Sequence, residues 1–161
     1  NEIPNVDGSS LPFVEAIVKA GIVEFESPKD IYTVREPISI TEDGSSIVAL
    51  PCDSGLTISY SLTYSGSPVG SQHLTVDVDP EKTIREISPA RTFCLQEEAD
   101  AFLQQGLGKG ASYQNTLVVG KNGVINNTLR FPDEFVRHKI LDLIGDLTFL
   151  NASLKAHIVA I

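Results

Sequence analysis

Thr57-Ile58-Ser59-Tyr60-Ser61-Leu62-Thr63-Tyr64 alternates without a break, hydroxyl residues at odd positions and large apolar or aromatic residues at even ones. Successive side chains of a strand point to opposite faces, so a period of two predicts a strand with one buried face. Leu74, Val76 and Val78 repeat the pattern, and the stretch from Ile31 to Val78 is expected to form antiparallel sheet. Turns are expected at Glu42-Asp43-Gly44, Asp53-Ser54-Gly55 and Ser65-Gly66-Ser67-Pro68. Towards the N-terminus, residues 1–9 read as a loop with a turn at Asp7-Gly8-Ser9. A short helix over 10–20 then places Phe13, Ile17 and Val18 on one face, and Gly21 stops it. Towards the C-terminus, a helix over 95–105 puts Leu95, Ala99, Phe102 and Leu103 on one side, followed by a glycine-rich loop from Gly106 to Ser112. Thr116 to Val119 reads as a buried strand, and Lys121-Asn122-Gly123 as a hairpin turn into Val124-Ile125. The longest helix starts after Pro132 and runs to about Leu150, and Ile158 to Ile161 reads as a further strand. The fold class is α+β, a two-layer arrangement with helices packed on one face of a sheet.

With 161 residues, 42% hydrophobic and 20% charged, the chain is long enough to bury a core and too apolar to be disordered. The net charge of −9 argues against nucleic acid as a partner, because phosphate binding needs a basic face. No apolar run approaches the ~20 residues that span a membrane. The absence of Met and the start at Asn1 point to removed or omitted residues, by a cleaved leader or by a cut inside a longer protein. Cys52 and Cys94 are too few for a disulfide framework and read as small buried hydrophobes or, less simply, as a bridge. The tripeptides Asn126-Asn127-Thr128 and Asn151-Ala152-Ser153 match a glycosylation pattern that arises often by chance.

The chemistry gathers on the longest helix. Val136, Ile140, Leu143, Ile144 and Leu147 form its core stripe, while His138, Asp142 and Asp146 are spaced by four. Neighbours in that set stand only ~40° apart around the axis and line the face opposite the stripe. A His and an Asp one turn apart can both ligate one metal ion, with a further carboxylate orienting a neighbouring group. By spacing alone the same set also describes a solvated helix face. His73 and His157 have no partner at ligand spacing, so the chain offers at most two of the three ligands of a catalytic zinc.

The run Phe135-Val136-Arg137-His138-Lys139-Ile140-Leu141-Asp142-x-Ile144-Gly145-Asp146-Leu147 resembles the signature helix of the UDP-3-O-acyl-N-acetylglucosamine deacetylase (LpxC) family. Ala90-Arg91-Thr92-Phe93 resembles the family's A-R-T-F block. Glu2-Ile3-Pro4-x-x-Asp7-Gly8-Ser9 with Pro12-Phe13-Val14 resembles the segment that closes its first domain. Gly106-Leu107 through Gly110-x-Ser112, then Leu117-Val118-Val119, follows the same pattern. The resemblance covers nearly the whole chain and implies residues 1–24 as the tail of a first domain with a linker helix. It implies residues 25–161 as a second domain that stops before its C-terminal catalytic motif. It further implies a cytoplasmic, zinc-dependent hydrolase of lipid A biosynthesis that removes an acetyl group from a UDP-sugar lipid substrate.

In that reading His138 and Asp142 ligate Zn2+, Thr92 helps stabilise the oxyanion, and Asp146 orients a histidine that lies beyond Ile161. A Glu-His pair upstream of Asn1, in the first domain, supplies the general base and the remaining ligand, so this chain alone is expected to be inactive. Lys139 matches a position near the substrate's phosphates, and Phe93 a substrate-contacting aromatic. Ala99, Leu103, Gly108, Ser112 and Val118 match the lining of an acyl-chain passage. The chain departs from the family at Cys94, where glycine is usual, and at Gln96, often apolar in relatives, which leaves the accepted acyl length open. The competing readings are a non-catalytic binding module that keeps the fold, distinguished by metal content, and a secreted β-rich interaction domain, distinguished by glycan at Asn126 or Asn151.

Overall fold

A computed structural model describes residues 4–161; Glu2 and Ile3 of the Glu2–Ser9 block lie outside the described residues. After the turn at Asp7-Gly8-Ser9, helix α1 (Leu11–Ala20) is opened by Pro12 in its first turn and ended by Gly21 at φ 91°. Strands β1 (Ile31–Thr33), β2 (Ile38–Glu42), β3 (Ser45–Leu50), β4 (Leu56–Tyr64) and β5 (Gly70–Asp77) follow. The β2–β3 hairpin turns at Asp43 (φ 48°) and Gly44 (φ 81°), the left-handed pair a tight hairpin needs. A short helix α2 (Pro80–Lys82), capped by the Asp79 carboxylate, passes into a π-helical turn over Thr83–Ile87 that the sequence pattern does not announce. Next come β6 (Phe93–Leu95), α3 (Gln96–Gln104), β7 (Leu117–Gly120), β8 (Gly123–Val124), α4 (Glu134–Leu147) with a 3-10 turn to Leu150, and β9 (Ser153–Ala160).

The larger sheet runs β2-β3-β9-β4-β5, with β1 joined to the first half of β9. β9 is therefore central. It pairs in parallel with β1 and with β4, Ile58 opposite Ile158, and antiparallel with β3, Val48 opposite Val159. Within Ile31–Val78 the pairs β2–β3 and β4–β5 are antiparallel, as expected; β9 makes the sheet mixed, and it starts at Ser153, earlier than the expected Ile158. The physical reason is the connection. β9 enters the sheet after α4, far along the chain from β1 and β4, so no hairpin turn fixes it antiparallel to them. β6, β7 and β8 form a separate small sheet.

β4 and α4 build the core as their periods predict. Ile58 and Leu62 from β4 meet Val136, Ile140 and Leu143 from α4, and Ile87 from the π-helical turn closes one end. The hydroxyl face of β4 looks the other way, where Ser59 bridges Thr75 at 2.8 Å and His157 at 2.9 Å. A second cluster of Leu117, Val119, Phe135 and Val136 ties the small sheet to the start of α4. α1 and α3 bury no residue, and Phe13, Ile17 and Val18 are exposed. Both cysteines are free and half-buried.

Candidate active site

α4 positions the site because its apolar stripe is pinned against β4, which leaves its remaining faces fixed in rotation. His138 and Asp142, one turn apart, turn towards each other, and Nε2 stands 3.4 Å from Oδ1. The other ring nitrogen, Nδ1, lies 3.0 Å from the Ala90 carbonyl oxygen. A carbonyl only accepts, so Nδ1 donates and carries the proton, leaving a lone pair on Nε2 in the neutral ring. The second oxygen of Asp142 accepts from Lys139 Nζ at 2.9 Å. Burial alone pulls the Lys139 ammonium down, but the hydrogen bond and charge of Asp142 outweigh it and hold it above its ordinary value.

Two donors each about 2.0–2.2 Å from a tetrahedral ion stand about 3.3–3.5 Å apart. The His138–Asp142 pair matches that separation, and its imidazole is oriented by a backbone carbonyl as metal-ligating histidines generally are. Among the described residues no group of three or more His, Cys, Asp or Glu side chains is placed to hold a metal. The pair fits two positions of a zinc site, not a complete one.

Two cavities flank this helix and the bend before β6. The first, about 460 Å³, is lined by Lys139, Asp142 and Asp146 of α4 together with Tyr60, Ser61 and Thr63 of β4. The second, about 370 Å³, is lined by Thr92, Phe93, Ala99, Leu103, Gly108, Ser112 and Val118, so seven of the residues singled out in the sequence share one space. Cys94 and Gln96, the two departures, line it as well. Burial, then the nearby Glu98 carboxylate, push the Cys94 thiol up. His138 lines neither cavity and is joined to Thr92 through the Ala90–Thr92 bend.

That bend is held by residues the sequence reading passed over. Glu134, fully buried in the first turn of α4, accepts from the backbone N–H of Arg91 at 3.0 Å and from its Nε at 2.8 Å. Burial pushes the Glu134 carboxyl up, but the bonds from Arg91 and the Arg130 backbone outweigh it and hold it below the usual carboxylate range. Asp7 pairs with Arg130 at 2.7 Å, and the Gly8 carbonyl accepts from the Thr92 N–H at 2.9 Å. Gly8 has φ 82°, and a Cβ there would stand 1.8 Å from the Asn115 carbonyl oxygen, so only glycine fits beneath this bend. The signal available in the sequence was weak: Arg91 follows Ala90 and Glu134 precedes Phe135-Val136, but other polar residues flank both, and only their burial, rare for charged residues unless paired, marks them.

Comparison with known proteins now decides the family. The family model for UDP-3-O-acyl N-acetylglycosamine deacetylase matches residues 1–161. The chain belongs to the LpxC family. A family relative from Thermodesulfovibrio yellowstonii, named UDP-3-O-acyl-N-acetylglucosamine deacetylase, is 37% identical over 99% of this chain and 54% of its own length. Proteins of the same name from Oleidesulfovibrio alaskensis and Chlamydia felis are 40% and 41% identical, over 98% and 99% of this chain and 52% and 58% of their own lengths. The chain thus spans about half the length of these LpxC relatives. No described helix is long and apolar enough to cross a membrane.

Proposed function

We propose that this chain supplies half of the catalytic centre of a zinc-dependent hydrolase that removes the N-acetyl group from UDP-3-O-acyl-N-acetylglucosamine in lipid A biosynthesis, in the cytoplasm. The observation that carries the reading is the pairing of His138 Nε2 and Asp142 Oδ1 at 3.4 Å, with His138 Nδ1 committed to the Ala90 carbonyl. His138 and Asp142 would hold the zinc, and a zinc ion in such a site supplies Lewis acidity to amide hydrolysis. Thr92, beside the bend, donates from its hydroxyl to the oxygen on which negative charge develops. Lys139, kept cationic by Asp142, offers a local positive charge to the substrate's phosphates in a chain of net charge −9. Asp146, on the rim of the first cavity, orients a histidine supplied from outside this chain. The second cavity, walled by Phe93, Ala99, Leu103, Gly108, Ser112 and Val118, receives the acyl chain. The general base and the third ligand come from the other half of the family's length, so this half alone does not turn over substrate.

The test is His138→Ala in the enzyme of full family length, with zinc content and deacetylation measured on the same sample. Zinc content and rate fall together if the reading holds. Unchanged zinc with an unchanged rate would assign His138 to packing.

A further inference from the structure

We propose that Arg91 and Glu134 are positioning residues for this site: their buried pair sets the Ala90–Thr92 bend, and through the Ala90 carbonyl it fixes which nitrogen of His138 stays free. The inference rests on the reading of His138 as a ligand, but its geometry stands on its own.

Glu134 and His138 are one turn apart on α4, so one helix face grips the bend at two consecutive residues. Glu134 takes the N–H of Arg91, and His138 gives its Nδ1–H to the carbonyl of Ala90. The carboxylate is saturated. Oε1 accepts from Arg91 N and Nε, and Oε2 accepts from Arg91 Nη2 at 3.1 Å and from the Arg130 N–H at 2.6 Å. The guanidinium commits four of its five N–H groups. Beyond Glu134 it donates to the Asn127 side chain at 3.0 Å and to the Thr128 carbonyl at 2.6 Å. Three stretches of chain converge on one ion pair: the bend, the loop 127–130 and the first turn of α4. Ala90 is fully buried and Arg91 is 5% exposed, so the carbonyl that meets His138 has no water to compete for it.

A buried pair is a costly way to gain stability, since apolar residues of similar volume often do as well or better. What apolar residues cannot do is aim a carbonyl. A metal-ligating histidine depends on the acceptor at its other nitrogen, which sets both tautomer and ring orientation. Without the Arg91–Glu134 anchor, the Ala90 carbonyl loses its fixed direction, Nδ1 loses its acceptor, and the proton redistributes between the ring nitrogens. Thr92, next along the bend, loses its placement in the second cavity at the same time.

The experiment is the double variant Arg91→Met/Glu134→Leu in the full-length protein, which removes both charges and keeps apolar volume. Three quantities are read: the melting temperature, the His138 tautomer by long-range 1H–15N correlation in the metal-free protein, and zinc affinity with kcat in the loaded protein. The expected result is a folded protein in which His138 no longer holds a single Nδ1–H tautomer, with zinc affinity and kcat reduced by about 10–100-fold. A folded double variant that keeps the Nδ1–H tautomer overturns the proposal, whatever its activity. A lost tautomer with unchanged zinc affinity supports the clamp and removes His138 from the ligand set. Should the double variant not fold, Glu134→Gln is read in the same way, and a wild-type tautomer there overturns the proposal.

Discussion

α4 and α3 each carry candidate functional residues beside the same bend, yet they are held by opposite means. α4 buries Glu134, Phe135, Val136, Ile140 and Leu143 and is anchored through the ion pair to Arg91. α3 buries nothing, is capped at its start by the Glu98 carboxylate on the Leu95 N–H at 2.7 Å, and leaves Phe102 and Leu103 half open beside a cavity. In the proposed function the difference separates two tasks. Holding a metal ligand to a few tenths of an ångström needs a dense core and committed hydrogen bonds. Receiving a flexible apolar chain needs a wall of small and apolar side chains on an element that can give, drawn from the less stable part of the fold.

If that contrast is real, its largest expression is at Glu134. Glu134→Ala leaves the Arg91 guanidinium buried without its carboxylate and is expected to cost about 3–5 kcal/mol in urea unfolding, since breaking one partner of a buried pair strands the other charge. A cost below about 1 kcal/mol would show that water reaches the pair.

Next in size is a matched pair of truncations. Ile140→Ala, in the α4 core, should cost about 2–5 kcal/mol. Phe102→Ala, on α3, should cost less than about 1 kcal/mol because the ring is half exposed. Equal losses at the two positions would break the comparison between the helices.

The third is acid sensitivity. Glu134 and Asp7 are held below the ordinary carboxylate values of 4.5 and 3.8, so each contributes stability that is full above the unfolded value and is lost as pH falls through the lower folded one. Stability should therefore be flat near neutrality and fall below about pH 4.5, and Glu134→Gln should flatten that fall. Equilibrium unfolding at pH 3 and pH 7 checks it, and a variant whose acid slope equals that of the parent would assign the loss to other carboxylates.

The contrast also explains what the sequence could and could not disclose. The alternation in β4 was readable because both of its faces carry a consistent chemistry, and the α4 stripe because all its core residues fall on one side. The central strand β9 was read only at its apolar end. Ser153-Leu154-Lys155-Ala156-His157-Ile158 alternates polar and apolar, a signal the sequence reading passed over because it is short and follows the end of α4, and its partners Ile31 and Leu56 lie far away along the chain. The π-helical turn over Thr83–Ile87 buries only Ile87 and leaves no periodic signal. The apolar side of α3 was visible, but periodicity reports which face is apolar and not whether anything covers it. The Arg91–Glu134 pair joins residues 43 apart in sequence, and local pattern holds no record of such a meeting. That His138 and Asp142 face each other was legible from spacing; the carbonyl that meets His138 was not.

The smallest effect on stability belongs to the proposed acyl-chain passage. Ala99→Leu should change stability by no more than about 0.5 kcal/mol, because α3 is not packed tightly. The added volume should still exclude long acyl chains, lowering kcat/KM for them by about tenfold or more relative to short ones. Gly108→Val is the poorer probe. Gly108 sits at φ 67°, where a β-branched residue is strained whatever the cavity needs. Equal losses on short and long chains in Ala99→Leu would mean that α3 supports the fold and does not line a passage.

The measurement that bears most directly on the site is zinc titration of the full-length protein followed at the His138 ring nitrogens. The geometry predicts that Nε2 shifts on binding one equivalent of zinc while Nδ1 keeps its proton and its bond to Ala90. Coordination through Nδ1, or a His138 signal that ignores zinc, would contradict it.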